Sequence, residues 1–123
     1  MSPALGVERV DFISVPTRNY ERARAFYCNT LGLPVDVNNE QEIATSNVTI
    51  CFWNPEDEGE EFAPNAAGFA LRVPDVALAR EQLEHAGVEF MGDTVDTGVC
   101  HMGFLKDPDG NVLILHRRYA PYD

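Results

Sequence analysis

Phe12-Ile-Ser-Val-Pro16, near the start of the chain, returns in its second half as Phe69-Ala-Leu-Arg-Val-Pro74. Around the first copy, Arg9 to Thr17 alternates. Val10, Phe12 and Ser14 fall on one face, Ile13 and Val15 on the other, as in a β-strand. The period then lengthens. Ala23, Phe26, Tyr27 and Leu31 make one helical stripe, which predicts a helix over Tyr20–Leu31. Gly32 stands where a helix end wants a left-handed residue, and Pro34 prevents continuation. Around the second copy, Asp75 is a good N-cap and Val76, Ala79, Leu83 and Ala86 form a second stripe. Gly87 closes that helix as Gly32 closes the first.

Each helix is followed by short strand patterns. In the first half they are Pro34–Asn38, Gln41–Thr45 and Val48–Trp53, separated by the turn signals Asn38-Asn39 and Ser46-Asn47. In the second half they are Val88–Met91, Val99–Lys106 and Asn111–Arg117. Asp107-Pro-Asp-Gly-Asn111 joins the last two. Its proline presets one turn dihedral and its glycine supplies the left-handed position, so a hairpin is expected. Each half therefore reads β-α-β-β-β, and a half alone would leave a sheet face uncovered. The expected organisation is one domain over 1–123: module one about 8–54, a linker about 55–66 and module two about 67–118. Five acids and two prolines between Asn54 and Asn65, with little periodicity, mark the linker.

Composition narrows the function classes. With 123 residues, 45% hydrophobic and 24% charged, the chain reads as ordinary globular protein able to bury a core. No apolar run approaches the roughly 20 residues of a membrane helix, and the start of the chain lacks a signal-peptide pattern. Cys28, Cys51 and Cys100 are odd in number and widely spaced. That argues against a disulfide framework and for a reducing, cytoplasmic setting. A net charge of −11 repels phosphate backbones, so no nucleic-acid partner is expected. Such a surface serves solubility and would attract cationic small molecules.

Two segments in this order resemble the vicinal oxygen chelate superfamily, which includes glyoxalase I, bleomycin-binding proteins, fosfomycin-modifying enzymes and extradiol dioxygenases. The first is Val10-Asp-Phe-Ile-Ser-Val with Glu21-Arg-Ala-Arg-Ala-Phe-Tyr27 and Leu31-Gly-Leu33; the second is Asp107-Pro-Asp-Gly-Asn111 with Val112–Leu115. The resemblance implies an α+β fold in which paired βαβββ modules form open half-barrel sheets around a small-molecule cavity. It also implies a homodimer. Metal-using relatives carry His or Gln on the first strand, His on the strand opening module two and Glu on the last strand. Here those positions are Phe12, Gly68 and Ile114, whose side chains offer no lone pair. A one-residue slip offers Asp11, then Ala67 or Phe69, then Leu113 or Leu115, and does not restore the set. No metal and no other cofactor are expected in that site.

The remaining candidates are few. His116 lies two residues beyond Ile114 and shares its strand face; the competing reading is an exposed strand-end histidine. His101 follows Cys100, so only one of the two can face a cavity. Cys100 as a nucleophile would need a base and an electropositive setting; otherwise it is a small buried hydrophobe. His85, late in the second helix, suits the helix C-terminus and carries no catalytic role. Phe12, Phe52, Trp53, Met102, Phe104 and Tyr27 could line an aromatic pocket, with Tyr27 and Phe104 read as core. Asp11 pairs with Arg9 or a helix arginine, or lies exposed at a strand edge. The expected ligand-binding set is Phe12, Gly68, Ile114, His116, Trp53 and Met102. Three functions compete. The first is a metal-free binder of a small organic molecule. The second is a lyase, isomerase or dioxygenase with relocated metal ligands, or with His116, His101 or Cys100 as acid–base residues. The third is a degenerate domain with a regulatory or partner-binding role.

Overall fold

A computed structural model describes residues 5–34 and 39–122. The first module contains β1 (Phe12–Pro16), α1 (Tyr20–Ala25), β2 (Glu42–Ala44) and β3 (Thr49–Trp53). The second contains β4 (Phe69–Arg72), α2 (Val76–His85), β5 (Val95–Asp96), β6 (Cys100–Lys106) and β7 (Val112–Arg118). Two open mixed sheets result, ordered β1-β3-β2 and β4-β7-β6-β5. Among the described residues neither closes into a barrel.

The duplication is visible in the pairing. β1 runs parallel to β3, with Pro16 opposite Trp53; β4 runs parallel to β7, with Arg72 opposite His116. The next amides make the same bond in both: Thr17 N–H donates to Trp53 O at 2.9 Å and Val73 N–H to His116 O at 3.1 Å. The helices begin alike too. Asn19 and Asp75 are extended N-caps whose side chains accept from Arg22 N and Leu78 N. Both helix-closing glycines take the left-handed conformation expected of them, φ 78° at Gly32 and 92° at Gly87. The first helix changes form partway: Phe26–Thr30 continue it as one π-turn, within which Tyr27 is buried.

Two sequence expectations need correction or limits. The strand expected at Val88–Met91 is reduced to one bridge, Phe90 opposite Leu105, and the edge strand lies further on at Val95–Asp96. Met91-Gly-Asp-Thr94 interrupts the pairing, with Gly92 at φ 69°. The strand expected at Pro34–Asn38 falls largely outside the described residues. The linker opens with a 3-10 turn, Pro55–Glu58. Arg18 pins it by stacking over Phe62 at 4.2 Å and pairing with Glu56 at 3.4 Å.

Both modules feed one core. Ile13 and Val15 stand on the same side of the first sheet as Ile50, Phe52 and Ile43, against Tyr27 of the helix. Leu105, Leu113 and Leu115 stand on the α2 side of the second sheet, with Val76 and Leu83. Phe52, read as a pocket candidate, is core instead: it is buried with its ring edge-on to Tyr27 at 5.0 Å.

A buried polar knot ties the modules together. In Asp107-Pro-Asp-Gly-Asn111, Gly110 N–H donates to Asp107 O at 3.0 Å, with Gly110 at φ 90°, as the turn chemistry requires. The side chains reach across to module one. Asp107 Oδ2 accepts from Tyr27 Oη and Asn111 Nδ2, both at 2.8 Å. Its Oδ1 accepts from Asp109 N and Asn111 N, both at 2.9 Å. Asn111 Nδ2 also donates to Pro16 O at 2.8 Å, and Asn111 Oδ1 accepts from Asn65 N at 2.8 Å. Asp109 takes the Thr17 hydroxyl and the Arg22 guanidinium, each at 2.6 Å. Burial, then the Asp107 charge, drives the Tyr27 phenol far above its ordinary range, so it remains a donor.

Candidate functional site

Since neighbouring strand residues alternate sides, the registers define which side chains face away from the core. On the first sheet these are Phe12, Ser14, Thr49, Cys51, Trp53, Glu42 and Ala44. On the second, one row across the strands is Ala70, Ile114 and Phe104; the next is Arg72, His116, Met102 and Val95. Val112 with Lys106, and Arg118 with Cys100, flank these rows.

Five of the six expected binding residues lie on these outward faces. Phe12 and Trp53 share the first; Ile114, His116 and Met102 share the second. Phe12 is 57% exposed, a high value for a phenylalanine, and the other four are half-buried. Phe104, read from the sequence as core, instead sits opposite Ile114 on the second face. Alternation along β6 pointed to that side, since Phe104 is two residues from Met102.

Gly68 is different. Its φ is 72°, and an added Cβ would lie 2.7 Å from Val112 O and 2.9 Å from Val112 Cγ1. The module symmetry breaks at this point: Thr49 N–H reaches back to Asp11 O, but Val112 N–H takes Asn65 O at 2.9 Å. The chain leaves the strand at Gly68, so a side chain there would drive into β7.

The positions that the resemblance assigns to metal ligands therefore do not fit a metal. Phenylalanine, glycine and isoleucine supply no donor, and the backbone at the second position has no room for one. Cys51, which the pairing makes the module-one counterpart of Ile114, is the one potential ligand at an equivalent position. Burial, with the Glu42 charge behind it, raises its thiol above the ordinary value and disfavours the thiolate. Among the described residues, no three His, Cys, Asp or Glu side chains are grouped to hold an ion.

His101 and Cys100 separate as alternation requires. Cys100 shares the parity of Met102 but is buried, its Sγ 3.1 Å from Thr97 Oγ1. His101 is on the α2 side, with Nε2 3.3 Å from Asp96 Oδ2 and its ring 4.8 Å from Tyr119. The Gly98 amide, then the Tyr119 hydroxyl and the His101 ring, hold the Asp96 carboxyl below its usual range. This exposed cluster is turned away from the outward face that carries His116. Asp11 pairs with Arg9 at 3.3 Å, with both side chains exposed. All three cysteines are free.

A cavity of about 480 Å³ runs along the β4 edge, bordered by Ile13, Ile50, Phe69, Leu71, Arg72 and His116. Residues from both faces of β4 line it. Its size is that of small-molecule sites, roughly 300–1,000 Å³.

The family model of the Glyoxalase/Bleomycin resistance protein/Dioxygenase superfamily matches residues 9–115. The chain belongs to this superfamily. Solved structures agree on the fold. A superfamily member from Sphaerobacter thermophilus DSM 20745 is 22% identical with TM-score 0.78, over 91% of this chain and 98% of that one. TnmS3, an antibiotic binding protein from Streptomyces sp. CB03234, is 24% identical with TM-score 0.73, over 94% and 99%. An integron cassette protein from the mobile metagenome of V. Cholerae is 20% identical with TM-score 0.70, over 92% and 97%. No curated protein sequence matches the chain. At these identities the likeness shows the fold alone. Among the described residues no helix is long and apolar enough to cross a membrane.

Proposed function

We propose that this superfamily member binds a small organic molecule on the outward faces of its sheets, without a metal. The observation that carries the reading is the placement of Phe12, Trp53, Ile114, Met102 and Phe104. These large apolar side chains point away from a core that is already filled. An apolar surface held open in this way is a contact surface. Binding needs no catalytic group, which suits a site whose metal positions carry Phe12, Gly68 and Ile114. The antibiotic-binding TnmS3 supports the class by analogy. A homodimer belongs to the same proposal: a second copy would cover the open faces and enclose the ligand between them. The enzymatic alternative has the His101–Asp96 contact in its favour, but that pair lies on the other side of the second sheet.

A thermal-shift screen of uncharged and charged organic compounds tests the proposal. A ligand at 100 times its Kd adds about 2.7 kcal/mol, which raises Tm on the order of 10 °C. Ile114→Asp should abolish the rise while leaving the unliganded fold intact. A screen without hits, or hits undiminished in I114D, would contradict the proposal.

A further inference from the structure

The two outward faces differ in charge. In a chain with 20 acids and nine Lys+Arg, the basic side chains on the outward face of the second sheet are Arg72, Lys106, His116 and Arg118. No acid shares that face among the described residues. Elsewhere, Arg9, Arg18, Arg22, Arg24 and Arg80 each pair with a carboxylate. Arg72, Lys106 and Arg118 have no such partner among the described residues, and neither has Arg117, which lies on the other side of β7.

Their arrangement is specific. Arg72 and His116 are directly opposite each other on adjacent strands, with Met102 next in the same row. Apolar Ala70, Ile114 and Phe104 form the neighbouring row. Both Arg72 and His116 also border the 480 Å³ cavity. Arg118 closes the far side. One Nη2 donates to Pro121 O at 3.0 Å and the guanidinium stacks over Tyr122, but Nε is buried without a hydrogen-bond partner among the described residues. Arg72 lies opposite His116, with Arg118 two residues beyond His116 on the same face, whereas Lys106 is at the other end of that face, opposite Val112. An anion beside Arg72 and His116 meets a guanidinium that no carboxylate among the described residues neutralises.

We infer that the ligand is an organic anion: an apolar or aromatic body lying on Ile114, Phe104 and Met102, with a carboxylate bound between Arg72 and His116. The planar guanidinium presents paired N–H donors that match a carboxylate, and the imidazole adds a third donor. This inference rests on the binding function proposed above and names its ligand class. It reverses the expectation, drawn from net charge alone, of a cationic ligand.

The test compares three probes sharing one ring system: 2-naphthoate, the uncharged 2-naphthamide and the cationic 2-naphthylmethylamine. Each is titrated into ¹⁵N-labelled protein and followed by amide shifts of Arg72, Ile114 and His116. Inorganic phosphate serves as a bare-anion arm. Naphthoate should bind about fivefold tighter than naphthamide, the scale of a solvent-accessible ion pair. Arg72→Gln should remove the difference, and Arg117→Gln, on the opposite side of β7, should leave it. If the amide or amine binds as well as naphthoate, the anionic assignment is wrong while the binding function stands. If phosphate binds as tightly as naphthoate, the apolar rows contribute nothing and the assignment to an organic anion fails. If no probe moves these amides, this inference fails; the binding function fails with it only if the thermal-shift screen is also without hits.

Discussion

Two polar regions of this molecule are built in opposite ways. In the turn Asp107-Pro-Asp-Gly-Asn111 the buried carboxylate of Asp107 accepts four hydrogen bonds, and Asn111 reaches both Pro16 and Asn65. On the outward face of the second sheet, Arg72 and Lys106 have no ion-pair partner among the described residues. The first region spends its polar atoms on joining two modules. The second leaves its polar atoms free over an apolar floor. A closed network holds architecture together, whereas an open one is ready to take something from outside. Residues often matched together as a family motif thus divide: the turn is structural, and the strand that follows it carries the face.

The largest expected effect lies in the knot. Asp107→Ala strands the Tyr27 hydroxyl, one N–H of the Asn111 side chain and two backbone N–H groups, and should cost on the order of 4 kcal/mol by urea unfolding. A loss within the ordinary surface range of about 0.5 kcal/mol would erase the contrast. Next comes Gly68→His. The left-handed backbone and the approach of Val112 predict a loss of about 2–3 kcal/mol. Combining it with Phe12→His and Ile114→Glu should therefore fail to create a zinc, nickel or manganese site by calorimetry. Metal affinity gained without loss of stability would mean the strand can straighten at Gly68.

Tyr27→Phe is smaller and adds a pH signature. It should cost about 1 kcal/mol near neutrality through the lost bond to Asp107. The folded pKa of Tyr27 is raised above its unfolded value. Its contribution is therefore fully present below about pH 10 and declines above it, because only the unfolded chain releases the proton. Wild type should lose about 1.4 kcal/mol per pH unit more than Y27F above pH 10. Equal slopes would place the phenol in solvent. The smallest effect is Phe12→Ser: a change within about 0.5 kcal/mol in the free protein, together with weaker ligand binding.

Much of this was legible in the sequence, for physical reasons that can be named. The duplication, both helices, the caps at Asp75, Gly32 and Gly87 and the last hairpin are local, written in periodicity and in these residues and Gly110; the Asn19 cap of the first helix was seen only in the structure. Alternation alone placed His116 beside Ile114 and set His101 apart from Cys100. The knot was not legible, because Asp107 and Tyr27 are brought together only by docking of the modules. Neither was the shift of the edge strand to Val95–Asp96, since edge pairing is too short to leave a pattern. The unpaired cations escaped notice because net charge averages over surfaces, whereas Arg72 gains its meaning from facing His116. Gly68 read as an empty ligand position, but its positive φ makes it a bend.

The most direct test is a crystal structure of the protein with the organic compound that raises its Tm most. The account predicts that compound on the outward sheet faces, its rings against Ile114, Phe104 or Phe12 and its acidic group beside Arg72 and His116. A compound seated away from these faces, or a metal ion bound through His116, His101 or Cys100, would contradict it.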